Sequence, residues 1–398
     1  MRIGIFGGTF NPPHNGHVTI ARAAVTQLGL DKLLIVPACV PPHKPLPSGV
    51  TAGQRYDMAA LMAAPVGRCA EASDMELHRT GKSYTSDTLV QLQQEYPDAE
   101  LWLLMGSDMF LSLHTWHEPE VICRIARIAA FRRVEEDIRA AMERQKQRLE
   151  QRYQAQVTLL ENPELIELSS TDVRAALAEG RGSGLVPAAV WGYIQREHLY
   201  GTATDLKHLT PDALRPIAMS YLKPKRMAHV LGTEATAVKL AKQYGADETE
   251  ARVAALLHDC TKKLDMDQQL ALCRQYGLEL DELEQQALKL LHSRTGAAIA
   301  RDVFGVSDAV YSAIRFHTTG KPHMTLLEKI LYLADYMEPT RDFDGVERLR
   351  EVVRQDIDRG LLLGLTMTIE EMREMGNPIH HLTLDAQRYL IEQGVKQV

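Results

Sequence analysis

Cysteine is scarce in this chain, and its placement suggests no pairing. The 398 residues include five cysteines, none in a Cys-x-x-Cys pair or a regular framework. Isolated thiols of this kind are typical of a cytosolic protein that keeps them reduced. The sequence therefore predicts free thiols at Cys39, Cys69, Cys123, Cys260 and Cys273.

Long hydrophobic runs are absent as well. No run approaches the roughly 20 apolar residues that span a bilayer. The opening segment, MRIGIFGGTF, lacks an apolar core of signal-peptide length. These absences predict a soluble cytoplasmic protein with no membrane partner.

Basic residues are outnumbered by acidic ones. The net charge of -7 and the isoelectric point near 6.1 argue against a general polyanion binder, and no element suggests a DNA-reading module. Nucleic acid is therefore not an expected partner, although a local basic cluster can bind a small nucleotide. Hydrophobic residues at 45% and charged residues at 24% are ordinary for a globular protein, and the length suits two domains.

The two halves of the chain differ in periodicity. The first half alternates apolar strands with helices, which predicts βαβ units and a Rossmann-like α/β domain with a mostly parallel sheet. From about residue 212 onward the patterns are helical, so we expect an all-α domain there. The small, polar segment 201–211 predicts a linker between domains 1–200 and 212–398. Strands are expected over residues 2–6, 32–37, 101–105, 124–131 and 156–160.

The first strand ends in Gly7-Gly8 and is followed by a loop and a helix that begins near His17. Glycines let the backbone approach a ligand, and the N–H groups of a helix N-terminus bind phosphate. His14 and His17, three positions apart, can point to one spot and stabilise charge on a pentacoordinate phosphorus. A second motif, SSTDVR over 169–174, predicts a helix cap that also presents hydroxyls and a guanidinium to phosphates.

GGTFNPPHNGH and SSTDVR resemble the bacterial nicotinate-nucleotide adenylyltransferase family, within the HxGH nucleotidylyltransferase superfamily. The resemblance covers roughly the first 200 residues and includes the segments SYTSDTL, GSD, LHTW and PPHK. It implies transfer of AMP from ATP to nicotinate mononucleotide, giving deamido-NAD and pyrophosphate, with Mg²⁺ on the ATP. Phosphopantetheine and nicotinamide mononucleotide are alternative acceptors, which LHTW and SYTSDTL oppose.

The same resemblance assigns roles to individual residues. It places Trp116 on the nicotinate ring and Asp108 on the adenosine side. The residues implied in catalysis are His14, His17, Ser170 and Arg174. Those implied in substrate binding are Gly7, Gly8, Thr9, Phe10, His43, Lys44, Thr85, Gly106, Asp108, Trp116, Ser169 and Thr171.

In the second half, His258-Asp259 ends an apolar helical run. A carboxylate in such a position is costly to bury unless a cation compensates it. Imidazoles with carboxylates suit iron, manganese, zinc or cobalt. Six candidate ligands exceed the needs of one open metal site, which favours two ions bridged by Asp259. The candidate metal ligands are His229, His258, Asp259, His292, His317 and Asp335.

These spacings resemble the HD superfamily of metal-dependent phosphohydrolases. HTTG from residue 317 and ADYMEPTR over 334–341 are similar to the bacterial HD proteins that cleave diadenosine tetraphosphate into two ADP, a likeness over about 212–390. The resemblance implies iron and a bound hydroxide that attacks the anhydride phosphorus. It implies catalytic roles for Asp259 and Lys262, and phosphate contacts for Lys262 and Arg341. Three other histidines lack carboxylate partners at useful spacing and are predicted to lie at the surface: His323, His380 and His381.

Several alternatives stay open at the level of sequence. The second domain could act on a guanosine alarmone, a cyclic dinucleotide or a deoxynucleotide, or serve as a non-catalytic nucleotide sensor. The expected small-molecule partners are ATP, nicotinate mononucleotide and diadenosine tetraphosphate. The oligomeric state stays open, with a homo-oligomer among the alternatives. The sequence decides neither the native metal and the number of ions nor any coupling between the sites.

Overall fold

The chain divides into two units, Met1–Ala203 and Thr204–Val398. The computed structural model describes residues 1–41, 49–131, 136–161 and 168–397. The division falls inside the segment expected as a linker, and residues from Thr204 onward belong to the second unit. Among the described residues, no helix is long and apolar enough to cross a membrane.

A six-stranded sheet forms the centre of the first unit, in the order β3-β2-β1-β4-β5-β6. Every neighbouring pair is parallel, which confirms the predicted α/β class. The strands are β1 (Arg2–Gly8), β2 (Lys32–Pro37), β3 (Ala70–Ala72), β4 (Glu100–Met105), β5 (Arg127–Phe131) and β6 (Val157–Leu160). The helices are α1 (Asn15–Leu28), α2 (Ala52–Val66), α3 (Thr85–Glu95), α4 (Ser107–Ser112), α5 (Pro119–Ile125), α6 (Glu136–Tyr153), α7 (Ser170–Ala178) and α8 (Ala188–Arg196).

The strand order reverses between β1 and β4. Phe6 of β1 pairs with Leu104 of β4, so the two strands end side by side. Gly7 and Gly8 close the first strand, and Gly106 follows the second. Ligands of doubly wound sheets bind in the crevice at such a reversal, outside the carboxyl ends of the strands. The fold therefore places the glycines of the first motif at the edge where ligands of doubly wound sheets bind.

Helices alone form the described part of the second unit, as predicted. Asp247 and Thr325 accept hydrogen bonds from the first turns of α11 (Glu248–Leu257) and α15 (Leu326–Met337), which fixes where these helices begin. Gly245 and Gly305 end α10 and α13 with positive φ angles of 79° and 63°. The helices are α9 (Pro211–Ser220), α10 (Met227–Tyr244), α11 (Glu248–Leu257), α12 (Met266–Gln275), α13 (Leu288–Phe304), α14 (Asp308–Phe316), α15 (Leu326–Met337), α16 (Val346–Gln355), α17 (Ile357–Glu374) and α18 (His381–Glu392).

One predicted strand begins later than expected, and one strand of the sheet has no predicted counterpart. The strand expected over 124–131 begins at Arg127, because Pro119 starts the short helix α5, which includes Arg124. The strand β3 was not expected, because its sequence, Ala-Glu-Ala, carries no apolar run.

Candidate functional site

The loop between β1 and α1 carries the two histidines of the first motif. His14 precedes α1, and its backbone N–H donates to Nδ1 of His17 at 3.1 Å. The centroids of the two rings lie 3.7 Å apart. Because Nδ1 of His17 accepts this bond, its neutral ring carries the proton on Nε2. The start of the helix thus fixes which nitrogen of His17 can donate to a ligand.

Burial keeps both imidazoles neutral. It lowers the pKa of His14 to about 4, and burial with the neighbouring His14 holds the pKa of His17 well below its ordinary value. Nδ1 of His14 is buried without a hydrogen-bond partner among the described residues. At neutral pH the pair can therefore offer N–H donors to phosphate oxygens without acting as fixed cations.

The first turn of α7 lies against the same loop. Ser170 Oγ donates to the carbonyl oxygen of Pro12 at 3.1 Å, and Arg174 Nη1 donates to that of Asn11 at 2.6 Å. These contacts join residues more than 150 positions apart in the sequence. The structure thus brings the second motif onto the loop of the first.

The neighbouring residues of the second motif shape this turn. Ser169 caps α7 by accepting the N–H of Asp172, and Thr171 Oγ1 accepts from Arg174 Nη2 at 3.1 Å. The motif therefore caps α7 as predicted, and the start of the same helix contacts the loop of the first motif.

The glycines at the strand ends leave space above the sheet. A side chain on Gly7 or Gly106 would meet no atom within 4 Å, whereas one on Gly8 would come within 2.9 Å of the Phe10 ring. Phe10 is 1% exposed, and its ring centroid lies 5.1 Å from that of His17. The buried Phe10 ring therefore packs against the ring of His17. We expect any contact between Phe10 and a ligand to come from the Phe10 backbone.

The expected acceptor side consists of two segments that touch. The rings of Tyr84 and His117 lie 4.2 Å apart, which joins the start of α3 at Thr85 to the segment that holds Trp116. Trp116 is half-buried and packs against the core of the first unit. Asp108 is exposed in the first turn of α4. Two further expected contacts lie outside the described residues: His43 and Lys44.

Arg55 is a residue of this site that the sequence analysis missed. Its side chain, on α2, is completely buried, and it donates to the carbonyl oxygens of Thr9 at 2.9 Å, Ala38 at 2.6 Å and Cys39 at 2.9 Å. Burial lowers the pKa of Arg55. A buried guanidinium thus links the loop after β1 to the loop after β2.

Five helices bring together all six side chains expected to bind metal. Helix α10 contributes His229, the end of α11 contributes His258 and Asp259, and the remaining side chains come from α13, α14 and α15. Five of the six are nearly inaccessible to solvent, and Asp335 is 17% exposed. The six side chains that the sequence predicts as metal ligands therefore meet at one buried centre.

Hydrogen bonds at Nδ1 orient the histidines. His258 and His317 each donate from Nδ1 to the backbone carbonyl three positions earlier, at 2.7 Å. His229 Nδ1 instead lies 3.0 Å from Oε1 of Glu338, which can only accept. In all three rings the lone pair is consequently on Nε2, the nitrogen that faces the centre.

The two oxygens of Asp259 face different partners. Oδ2 lies 3.6 Å from Nε2 of His258 and 3.9 Å from Nε2 of His229. Oδ1 lies 3.2 Å from Nε2 of His292, which is 3.1 Å from Nε2 of His317. We define the first group as Asp259 Oδ2 with His229, His258 and Asp335, and the second group as Asp259 Oδ1 with His292 and His317.

Three basic side chains surround these groups. Arg226 Nε lies 2.5 Å from Asp259 Oδ2, and Arg341 Nη2 lies 3.0 Å from Asp335 Oδ1. Nζ of Lys262 lies 3.0 Å from Nε2 of the α13 histidine. Arg226 and Glu338 were not expected from the sequence, whereas Lys262 and Arg341 were.

The donor set fits a divalent cation. Nε2 of His229 and of His258 and Oδ1 of Asp259 are buried without hydrogen-bond partners among the described residues. Nε2 of His229 also lies 2.9 Å from Oδ1 of Asp335. Two atoms that both present lone pairs repel at this distance unless a proton or a metal ion lies between them.

The expectation that His380 lies at the surface is wrong. Its side chain is buried, and Nε2 lies 3.2 Å from Oδ2 of Asp281, a partner almost one hundred positions away. Nδ1 accepts the backbone N–H of Leu382 at 3.2 Å, so the proton of the neutral ring is on Nε2. His380 therefore caps α18 and contacts a carboxylate. His381 and His323 are exposed, as expected.

Comparison with known proteins finds a different family for each half of the chain. The cytidylyltransferase-like family model matches residues 5–176, and the HD domain model matches residues 226–340. A probable nicotinate-nucleotide adenylyltransferase of Neisseria meningitidis serogroup C is 39% identical over 201 residues, which are 50% of this chain and 98% of the relative. The symmetrical bis(5'-nucleosyl)-tetraphosphatase of Halalkalibacterium halodurans is 40% identical over 177 residues, 43% of this chain and 91% of the relative.

A solved structure is similar to the second half. It is that of a predicted HD superfamily hydrolase involved in NAD metabolism from Clostridium acetobutylicum, with 41% identity and a TM-score of 0.45. The match covers 46% of this chain and 98% of that one.

The matches define a fusion of two classes of domain, a nucleotidyltransferase and an HD domain. The chain belongs to the nicotinate-nucleotide adenylyltransferase family through its first half and to the HD domain family through its second. An HD domain implies a divalent metal, and the buried, unpartnered donor atoms described above fit that requirement.

Proposed function

We propose that the first half transfers AMP from ATP to nicotinate mononucleotide, forming deamido-NAD and pyrophosphate. The observation that carries this proposal is the convergence of both motifs on one loop, where Ser170 and Arg174 contact the segment before His14. The loop lies beside the crevice at the strand reversal. The adenylyltransferase relative that matches this half supports the choice of acceptor.

The proposed chemistry needs alignment and charge stabilisation rather than a covalent enzyme intermediate. A phosphate oxygen of the acceptor attacks the α-phosphorus of ATP, and the bond to the β-phosphate breaks as pyrophosphate leaves. His17 donates from Nε2 and His14 lies beside it, where charge grows on the phosphorus. Arg174 and Ser170 hold the triphosphate, and Mg²⁺ neutralises part of its charge. Thr85 and Trp116 hold the acceptor.

An acceptor comparison tests this half. The full chain is incubated with ATP, Mg²⁺ and one of three acceptors: nicotinate mononucleotide, nicotinamide mononucleotide or phosphopantetheine. We expect pyrophosphate and deamido-NAD only with the first, and a loss of about 10²- to 10³-fold in kcat for His17→Ala. The exposed His78→Ala serves as the matched control. Preferred use of another acceptor would overturn the assignment.

We further propose that the second half hydrolyses diadenosine tetraphosphate symmetrically to two ADP. The two-sided environment of Asp259 carries this proposal, because Oδ2 faces His229 and His258 whereas Oδ1 faces His292. Such a carboxylate suits a bridge between two metal ions, and we propose iron as the native metal, with manganese able to replace it. The tetraphosphatase relative supports the substrate.

A divalent metal supplies charge that polarises a phosphate and lowers the pKa of water. The chain contributes cations beside that centre. Lys262 and Arg341 lie within 4 Å of the two carboxylates and can neutralise phosphate oxygens. Water adds to one central phosphorus, the central P–O–P bond breaks, and ADP leaves. The added oxygen completes the second ADP, and the water releases a proton.

Product analysis tests the second half. The full chain is loaded with Fe²⁺ or Mn²⁺, given diadenosine tetraphosphate, and its products are separated by chromatography. We expect ADP alone, lost in Asp259→Ala and retained in His323→Ala, whose histidine is exposed beside Tyr389. ATP with AMP would place the attack on another phosphorus and contradict the proposal. No turnover with either metal would favour a guanosine alarmone, a cyclic dinucleotide, a deoxynucleotide or a sensor role.

A further inference from the structure

We propose that Glu338 is the positioning residue that holds His229 for metal binding, and that Gly232 is a glycine because Glu338 must approach α10. This inference rests on the proposed metal site. Glu338 directly follows the end of α15 and stands three positions after Asp335, a predicted metal ligand on the same helix. The end of α15 would therefore supply both a ligand and the group that orients a ligand of α10.

The carboxylate of Glu338 is fully buried and held by several donors. Oε1 lies 3.0 Å from His229 Nδ1 and accepts from Thr340 Oγ1 at 2.5 Å. Oε2 accepts the backbone N–H of Thr340 at 2.7 Å. These bonds offset the cost of burying the charge and leave the group a single arrangement next to His229.

His229 needs such a partner more than the other oriented histidines do. His258 and His317 donate to backbone carbonyls within their own turns, so their orientation comes with their own helices. His229 is oriented by a side chain from a different helix. A carboxylate also raises the basicity of the imidazole that it contacts, which strengthens the bond from Nε2 to a metal.

Gly232 provides an independent observation. It lies one turn after His229 in the interior of α10, where glycine is unfavourable relative to alanine. A Cβ atom at this position would lie 2.4 Å from Oε2 of Glu338 and 3.4 Å from Cδ of Pro339. Only a residue without a side chain lets this carboxylate come so close to the helix.

Arg350 holds the turn that carries Glu338. From α16 its guanidinium donates to the carbonyl oxygens of Met337 at 2.9 Å, Glu338 at 2.7 Å and Arg341 at 3.0 Å. The backbone on both sides of the carboxylate is thus fixed. The position of Glu338 is consequently built into the fold and does not depend on contact with His229 alone.

Metal affinity, measured without substrate, tests the proposal. The metal-free full chain is titrated with Mn²⁺ in a calorimeter, alongside Glu338→Gln, which keeps the shape and removes the charge, and Gly232→Ala, which displaces the carboxylate without altering it. Substitutions of groups that orient metal ligands typically weaken affinity about 10- to 100-fold, and we expect this for both variants. Glu328→Gln, a buried carboxylate of α15 that contacts Lys321, is the matched control with unchanged affinity.

The outcomes separate this inference from the proposed function. If the unmodified chain binds no Mn²⁺ or Fe²⁺, the metal site itself is refuted. If it binds Mn²⁺ and both variants bind equally well, the site stands and the role of Glu338 is refuted. Thermal unfolding of the metal-free proteins is measured in parallel. A weaker affinity counts in favour only for a variant that unfolds in the same cooperative manner as the unmodified chain.

Discussion

Arg55 Nη1 lies 2.9 Å from the carbonyl oxygen of Thr9, so a buried cation on α2 holds the loop that leads to His14. The same guanidinium contacts the carbonyl oxygens of Ala38 and Cys39 beyond the neighbouring strand. Both loops lie at the carboxyl edge of the sheet. The Arg55 side chain thus fixes the distance between the loop that contains Thr9 and the loop that contains Ala38 and Cys39. The second loop precedes the expected acceptor contacts.

We expect Arg55→Met to destabilise both loops. It removes hydrogen bonds to three carbonyl oxygens, and bonds to charged groups contribute about 1.5–3 kcal/mol each. Because removal of the buried charge also relieves its desolvation cost, the net loss is smaller than the sum of the three bonds. The free energy of unfolding of the first unit should fall by about 3 kcal/mol in a urea titration, and KM for ATP should rise. Arg22→Met, which removes one exposed hydrogen bond to Pro65, is the matched control. Equal unfolding midpoints for the two variants would argue against this role.

The stability of the first unit should fall in mild acid because of His14. Burial lowers its folded pKa to about 4, whereas the unfolded side chain titrates near 6.5. Between these values only the unfolded chain binds the proton, so stability drops by about 3 kcal/mol as the pH falls from 6.5 to 4. His14→Asn should lose less stability over this range in urea titrations, while the exposed His78→Asn should follow the unmodified chain. An identical pH dependence for His14→Asn would contradict the assignment.

Removal of metal should destabilise the second unit and leave the first unchanged. A ligand that binds only the folded state stabilises it by about 2.7 kcal/mol at one hundred times its Kd. Differential scanning calorimetry of the Mn²⁺-loaded chain should therefore show one transition that shifts down with chelator and returns with added Mn²⁺. If the midpoints of both transitions stay the same with and without Mn²⁺, the result would count against the metal site.

His380→Ala should affect stability without affecting metal binding. The substitution removes the cap of α18 and the contact with Asp281, and loss of a helix cap costs about 1 kcal/mol. Urea unfolding of the second unit should report this loss, while the stoichiometry of bound Mn²⁺ stays the same. A reduced stoichiometry would instead assign an ion to the cluster of Asp281, His380 and His381.

The sequence predicts the parallel sheet because its long strands are continuous apolar runs. The three-residue strand β3 has none, and its place in the sheet comes from pairing with the edge of β2. The position of Arg55 in the sequence does indicate a buried cation. It stands three and seven positions before Met58 and Met62, on the buried stripe of α2, where a charged residue needs a specific partner.

The sequence also predicts the six candidate ligands, because each is a histidine or an aspartate, a residue type that binds metal, on a predicted helix or at its end. The sequence does not predict the roles of Glu338 and Arg226 or the contact between Asp281 and His380, and the reason is the same in each case. Their partners lie far away in the chain, and no local periodicity reports which distant helices will meet. Glu338 stands immediately before a proline after a helix, a position typical of a turn rather than of a buried carboxylate.

His229 and Glu338 stand 109 positions apart, so His229 emerges from the ribosome well before Glu338. A nascent chain that stops before α15 carries all four of the site's histidines but neither Asp335 nor Glu338. Such a chain cannot complete the first group. The first unit, by contrast, is fully synthesised at Ala203 and can fold as the rest emerges. The order of synthesis alone thus makes adenylyl transfer the earlier of the two proposed activities to mature.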